Sequence, residues 1–358
     1  GLTAQSIAKK VGMQNPENII TGNELDKMSE VELHNRVKIT NIFARVTPNH
    51  KMIIVKAFKD IGEVVAMTGD GVNDAPALKY ADIGIAMGKR GTVVAKEAAD
   101  MILLDDNFTT IVETVHDGRR IYENIKKAIG YVFVIHIPIA LIALCTPLLK
   151  IPLFLLPIHV VLLELIIDPT CSIVFERQPV DNDIMARKPR STKESLINTG
   201  LLLKSILQGV SIFIASFGIY VFVYLQHKSD LIRHGIEVDT LLNTLKGHEL
   251  QALTTLLTSE ARGIALLTFV FSNLILVYVN QSQREQTLNS LLHSKDKVIW
   301  YINIIILMVM VICIYTPYGN SALQIQQLTL FQVTIAILLS VCSTGWWDIV
   351  KYVNKSKN

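Results

Sequence analysis

No cysteine in this sequence stands close enough to another to form a C-x-x-C pair: Cys145, Cys171, Cys313 and Cys342 each lie alone inside an apolar run. A zinc knuckle or a dithiol redox centre is thereby excluded, and buried, reduced thiols are the expectation. Charge is scarce too. Asp, Glu, Lys and Arg make up 18% of the 358 residues while 50% are apolar, a balance closer to membrane chains than to water-soluble ones. The net charge is only +3 and no basic stripe interleaved with aromatics occurs, so nucleic acid is not an expected partner. Also missing are an initiating Met and the basic start and apolar core of a signal peptide. The chain opens with GLTAQSIAKKVGM, and the expectation is a piece that starts mid-domain.

What is present changes character near residue 127. Before it, short apolar runs of strand length alternate with helical patterns: NIFARV (Asn41 to Val46), EVVAM (Glu63 to Met67), IGIAM (Ile83 to Met87) and MILL (Met101 to Leu104). Pro48 opens a helix in PNHKMIIVKAFKDIG, and GTVVAKEAAD has helical spacing. Strand, helix, strand in this order predicts a parallel, doubly wound α/β unit over residues 1–127.

From Ala128 onward the pattern is one of long apolar runs, each near the ~20 residues needed to cross a bilayer as a helix. Six are expected, at about 128–149, 153–175, 201–225, 263–280, 298–315 and 328–346, making residues 128–358 an all-α transmembrane bundle. Arg187, Lys188 and Arg190 in one connector and Lys351 in the tail fall on the same side if six spans alternate, which is the side of the α/β unit. The positive-inside rule makes that side, and the C-terminus, cytoplasmic.

The α/β unit carries one concentrated polar turn. EVVAMTGDGVNDAP is a strand that ends in a glycine-rich turn holding Asp70 and Asp74 with Asn73 between them. Ligands of doubly wound sheets bind at the C-terminal ends of the strands. Magnesium takes hard oxygen ligands, often one or two carboxylates with phosphate and water, so Asp70 is a natural ligand, and Asn73 and Asp74 could position water and phosphate oxygens. Gly69 and Gly71 allow the backbone close to an anion. An ordinary Asp-Gly turn accounts for the DG pair but not for a second acid and an Asn within four residues.

TGDGVNDAPALKYADIGIAMG resembles the hinge-proximal signature of P-type ATPases, the cation pumps whose phosphorylation domain belongs to the haloacid dehalogenase superfamily. FARVTPNHK, DDNFTTIV, GRRIYENIKK and DIMARKPRS also fit that family, in the expected order, so the likeness extends over essentially the whole chain. The resemblance implies a partial Rossmann-like, haloacid dehalogenase-type domain followed by the membrane bundle. It implies Mg2+ and ATP, with Asp70 as magnesium ligand, Asp74 close behind the metal, Asn73 and Asp74 holding the phosphoryl-transfer geometry, and Lys51 contacting the phosphorylated carboxylate. Thr68 and Gly69 complete the catalytic turn. An ammonium point charge against phosphate is a sensible use of Lys51.

The family's nucleophile, the Asp of an Asp-Lys-Thr-Gly segment, does not occur here, nor does its Thr-Gly-Glu-Ser segment. DKM at Asp26 to Met28 lies in a polar stretch with no strand expected before it. The expectation is the C-terminal part of a pump, inactive alone, whose partners are the missing N-terminal part of the same pump, the transported cation and membrane lipid. It would be a multi-pass protein of the plasma membrane. The alternative is a catalytically silent membrane module that regulates or assembles with a partner pump.

Ionisable groups inside a span are functional candidates by default. In LFLLPIHVVLLELIIDPTCSIVFE, Glu164 and Asp168 stand at i and i+4 and share a helical face. Pro169 is expected to loosen the helix and free carbonyl groups, Thr170 adds a hydroxyl, and His136 in the preceding span adds an imidazole. A pair neutralised by a neighbouring helix is the bland reading. His159 is expected at the outer interface. By resemblance, Asp168 takes the place of an aspartate used by calcium pumps, whereas Ile139 and Val270 stand where those pumps carry acids, which implies one ion per cycle. Calcium, manganese, a monovalent cation or protons all remain open, and hard oxygen ligands argue only against soft metals.

Overall fold

The structure, a computed structural model, describes residues 1–179, 183–191, 194–281 and 297–355, apart from the side chains of residues 167, 168, 171, 172, 354 and 355. The chain divides into two compact units, Gly1–Val115 and His116–Asn358. The division falls before the change of sequence character at residue 127, because the polar stretch ahead of the first apolar run already belongs to a long helix.

The first unit runs α1 (Leu2–Lys10), β1 (Ile19–Thr21), α2 (Gly22–Leu25), α3 (Glu30–Arg36), β2 (Ile42–Ala44), α4 (Pro48–Asp60), β3 (Ala66–Gly69), a 3-10 turn (Val72–Asp74), α5 (Ala75–Tyr80), β4 (Ile83–Met87), α6 (Val93–Ala98) and β5 (Met101–Leu103). Strands β3, β4 and β5 form a parallel sheet in sequence order, with Met67 opposite Gly84 and Ile85 opposite Met101. β1 and β2 form a separate parallel pair, with Ile20 opposite Phe43. The α/β alternation and parallel direction are as expected, and the four predicted strands are present. Two differences stand out: the strands make two ladders, and β1, only three residues long, precedes the Asp26 stretch where no strand was expected. Leu78, Ala86 and Ala95 form the small core under the three-stranded sheet, while Ile20, Leu25, Leu33, Val37 and Ala57 pack around the other pair.

Local chemistry fixes α4, which matters for the site. Thr47 is its N-cap, its hydroxyl accepting from the His50 amide at 3.3 Å while the His50 ring accepts from the Thr47 amide at 3.2 Å. Pro48 adds a preset φ at the first helical position. The other ring nitrogen of His50 lies 2.8 Å from the Asp26 carboxylate, so this histidine is buried as a strut under the helix start.

The second unit is helical. α7 (Phe108–Leu148), α8 (Pro157–Pro169) with a π-helical continuation (Thr170–Phe175), α9 (Thr199–Arg233), α10 (Val238–Thr244), α11 (Gly247–Gln281), α12 (Lys297–Tyr315), α13 (Pro317–Leu323) and α14 (Leu330–Lys355) follow in order. Five of them, α7, α9, α11, α12 and α14, are long and apolar enough to cross a membrane. The expected span at 153–175 instead starts at Pro157 and changes from α to π at Pro169, where the missing N–H interrupts the regular ladder. α11 is the enclosed centre of the unit, and the outward residues of α12, among them Ile304, Ile305, Met308, Val311 and Ile312, form a broad exposed apolar face of the kind lipid covers. α7 and α9 come close at Gly209, where a Cβ would lie 2.9 Å from the Val134 carbonyl oxygen.

Candidate functional site

In the first unit the chemistry collects where β3 ends. Lys51, in the first turn of α4, reaches across to Asp74 and donates to Oδ1 at 2.5 Å. The other oxygen, Oδ2, accepts from the Gly71 amide at 3.1 Å and the Asp70 amide at 3.3 Å. The Asp74 side chain is 8% exposed and that of Lys51 34% exposed, so the pair closes the floor of the turn and leaves the ammonium partly open above it. Burial, the largest single influence on Asp74, pushes its carboxyl up. The Lys51 hydrogen bond, the Gly71 amide, the Lys51 charge and the Asp70 amide together outweigh burial and hold it below its ordinary value of 3.8.

Gly69 is dictated by this packing. A Cβ there would lie 2.5 Å from the Asp74 Cβ, so only glycine lets β3 run into the turn while Asp74 folds back over it. Asp70 and Asn73 are both exposed beside the buried Asp74, and Thr68 is half-buried one residue before Gly69. The Asp70 backbone oxygen accepts from the Thr92 amide at 2.8 Å, which ties the turn to the start of α6. Among the described residues none donates a hydrogen bond to the Asp70 carboxylate. The residue types and their division of labour therefore fit magnesium: one open carboxylate for the metal, with phosphate and water to complete the shell, and a second carboxylate already satisfied by Lys51 and two amides. Asp82, by contrast, is structural. It accepts from the Val65 amide at 2.9 Å and pairs with Lys59 at 3.1 Å, joining the starts of β3 and β4.

In the second unit, Glu164 of α8 and His136 of α7 are brought together, with Nε2 of His136 3.4 Å from Oε1 of Glu164. The other ring nitrogen of His136 lies 2.8 Å from the Val132 carbonyl oxygen, which fixes the ring's direction. The side chains are 48% and 40% exposed, so the described residues leave this pair open on one side. Thr170 is brought near the same stretch of chain but its hydroxyl donates to the Ile166 carbonyl oxygen at 2.9 Å and is buried. The Asp168 side chain, the second acid of the expected ion path, lies outside the described residues.

Sequence reasoning missed a buried polar junction at the 150–156 turn. Arg262 of α11 donates from Nε and Nη2 to the Leu153 carbonyl oxygen at 3.0 and 2.9 Å and from Nη1 to Gln324 at 3.3 Å. Tyr220 donates to the Pro152 carbonyl oxygen at 2.6 Å. His159, expected at the interface, is fully buried, its ring 2.7 Å from the Leu323 carbonyl oxygen and accepting from the Leu156 amide at 3.2 Å. Arg262 and Tyr220 satisfy carbonyls of the tight turn, whereas His159 accepts from the turn's Leu156 amide and meets a carbonyl at the end of α13. The signal available was Arg262, a guanidinium at the head of the apolar stretch GIALLTFVF.

Comparison with known proteins agrees with both halves. Residues 152–353 match the family described as cation transporting ATPase, C-terminus, and residues 52–115 match haloacid dehalogenase-like hydrolase. The chain is 34% identical to calcium-transporting ATPase 1 of Bacillus cereus over 359 aligned residues, covering 99% of this chain and 38% of that protein. It is 41% identical over 230 residues to a calcium-transporting ATPase of Bacillus subtilis, covering 64% of this chain and 26% of that one. Against a calcium-transporting ATPase of Plasmodium falciparum the identity is 48% over 184 residues, 51% of this chain and 15% of the other. The chain thus covers well under two thirds of the length of these relatives.

Proposed function

The chain belongs to the cation transporting ATPase family, and from that premise we propose that it is the C-terminal part of a pump that couples formation and hydrolysis of an aspartyl phosphate to the movement of a hard cation. Calcium is the ion named in the relatives and leads the candidates. The observation that carries the reading is the division of roles at the end of β3, with Lys51 held by the buried Asp74 next to the open carboxylate of Asp70.

In this reading Asp70 holds magnesium, which when bound neutralises phosphoryl oxygens during transfer from ATP. Lys51 brings a positive charge to the same oxygens, and Asp74 fixes where that charge stands. The amide groups of the turn are turned inward to Asp74, so they organise the acids and do not themselves bind the phosphate. Asn73, exposed in the same turn, is free to orient water or a phosphate oxygen. The aspartate that accepts the phosphate comes from outside these residues. The edge of β3 away from β4 has no strand partner among the described residues, which supports a further strand beside it.

The proposed ion site is Glu164 with His136 and Asp168, and carbonyl oxygens near the α-to-π change after Pro169. The open side of the Glu164 and His136 pair supports a contribution from helices that these residues do not include. The α/β unit and the C-terminus are assigned to the cytoplasmic side because Arg187, Lys188 and Arg190 of one connector and Lys351 of the tail fall on that side if six spans alternate, and the proposed membrane is the plasma membrane.

The test is phosphorylation of the full-length pump from ATP. Asp70→Asn should abolish the phosphoenzyme while wild type forms it. Normal phosphorylation in that variant removes the metal role, and failure of wild type to phosphorylate at all favours a silent module, the reading motivated by the lack of Asp-Lys-Thr-Gly.

A further inference from the structure

We propose that Glu30 and His34 of α3, with Asp60 of α4, form a binding site for a divalent transition-metal ion, and that Zn2+ is the ion these donors suit best. Glu30 and His34 stand four residues apart on one helix and so share a face. Asp60 is the last residue of α4, and the ligand atoms of the three side chains all lie within 4.8 Å of one another. Two helices thus bring one imidazole and two carboxylates to a single point.

One of the separations already has the length a metal requires. Nε2 of His34 lies 3.4 Å from Oδ2 of Asp60, and the two groups face each other without a hydrogen bond between them. An N–H···O hydrogen bond draws its partners to about 2.7–3.2 Å. Two ligands held at about 2.0–2.1 Å from a tetrahedral zinc stand about 3.3–3.4 Å apart, which is the distance found here.

The competing cation is Lys56, one turn before Asp60 on α4, which donates to Oε1 of Glu30 at 2.8 Å. Its hold is weak, because the side chains of Lys56 and Glu30 are 50% and 66% exposed and exposed ion pairs contribute little. A metal ion can take the carboxylate from it. The donor set then decides which ion. Mg2+ and Ca2+ prefer shells made of oxygen alone, whereas imidazole suits zinc and its neighbours late in the first transition row. Three protein ligands leave a position for water, as at open zinc sites. His34 and Asp60 are both partly exposed, so the ion enters directly from solvent, and its binding joins α3 to the end of the helix whose first turn carries Lys51.

The full chain in neutral detergent, with Mg2+ in excess to fill sites built of oxygen alone, is titrated with Zn2+ in a calorimeter. Wild type should bind Zn2+ under these conditions. His34→Gln should weaken that binding at least tenfold, since losing even an outer partner of a metal ligand costs about 10–100-fold. Lys56→Gln should tighten it about two- to fivefold, the factor an exposed ion pair is worth, a direction that a purely structural role for the four residues does not produce. His227→Gln serves as the control, because His227 meets one carboxylate, Glu260, at 2.9 Å and should leave the affinity unchanged. If His34→Gln lowers thermal stability, Asp60→Asn carries the same expectation. No Zn2+ uptake by wild type, wild-type affinity in His34→Gln and Asp60→Asn, unaltered or weaker binding in Lys56→Gln, or displacement of the bound ion by an equal concentration of Ca2+ overturns the proposal.

Discussion

Lys51 and Asp74 are 23 positions apart in the chain, yet the lysine Nζ lies 2.5 Å from Oδ1 of the aspartate. One residue comes from the start of a helix and the other from the turn after a strand, so this contact holds α4 against the β3 turn. Removing the lysine leaves a nearly buried carboxylate with only two amide donors. Lys51→Met should therefore destabilise the fold by about 1–3 kcal/mol, the cost of an under-satisfied charged group with partial access to water. Asp74→Asn should cost less, since an amide oxygen still accepts from Gly71. Chemical denaturation of the two variants in parallel measures the difference, and equal stability of Lys51→Met and wild type contradicts the structural half of the pair's role.

Gly69→Ala tests the close approach itself. With its Cβ placed 2.5 Å from that of Asp74, the alanine forces either β3 or the turn to move. The expected loss is about 1–3 kcal/mol, the usual cost of overpacking, and in the full-length pump phosphorylation from ATP should fall with it because the turn carries Asp70. A variant that phosphorylates normally and unfolds where wild type does would show that the turn adapts without cost.

How these residues could be found in advance differs from one to the next. The start of α4 is legible because Thr47, Pro48 and His50 are a capping arrangement written in adjacent letters, and Lys51 follows at a fixed offset. The turn holding Asp70 and Asp74 is legible for the same reason. That Asp74 faces Lys51 and the amides while Asp70 faces outward is not, because it depends on how α4 packs against β3. The three residues of β1 are too few for a period to register. His159 misleads more deeply: its position near the end of an apolar run suggests an interface, but the carbonyl groups of a separate segment, at Leu323, draw it inside.

Acid should loosen the join between β3 and β4 through Asp82. Hydrogen bonding from the Val65 amide, then from Lys59, with the Lys59 charge added, holds its carboxyl below 3.8 in the folded chain despite the opposing effect of burial. A depressed folded value means that the stabilisation is complete above about 3.8 and is lost as pH falls through the still lower folded value. Hydrogen exchange at the Val65 amide, corrected for its intrinsic rate, should show constant protection between pH 5 and 7 and a decline only below about 3.8. Asp82→Asn should remove that decline, because the amide still accepts from Val65 and no longer titrates in this range. The same acid dependence in the variant would assign it to another group.

The ion path gives a prediction in which two adjacent candidates should behave oppositely. Glu164 keeps an open side and, among the described residues, pairs with His136 at 3.4 Å, a geometry in which its charge is still available to a cation. Thr170 already donates to the Ile166 carbonyl oxygen at 2.9 Å, so its hydroxyl hydrogen serves its own helix. In vesicles containing the full-length pump, Glu164→Gln should raise the cation concentration for half-maximal uptake about tenfold or more, the loss expected for one charged contact. Asp168→Asn should do the same if both acids share the ion. Thr170→Val should stay within about twofold, since losing a neutral hydrogen bond within a helix is a smaller change than losing a charge. A panel of cations identifies the substrate as the ion whose uptake these carboxylate variants weaken. Uptake of every cation unaltered by both would move the ion site away from α8, while a large effect of Thr170→Val alone would shift it to the π-helical segment beyond Pro169.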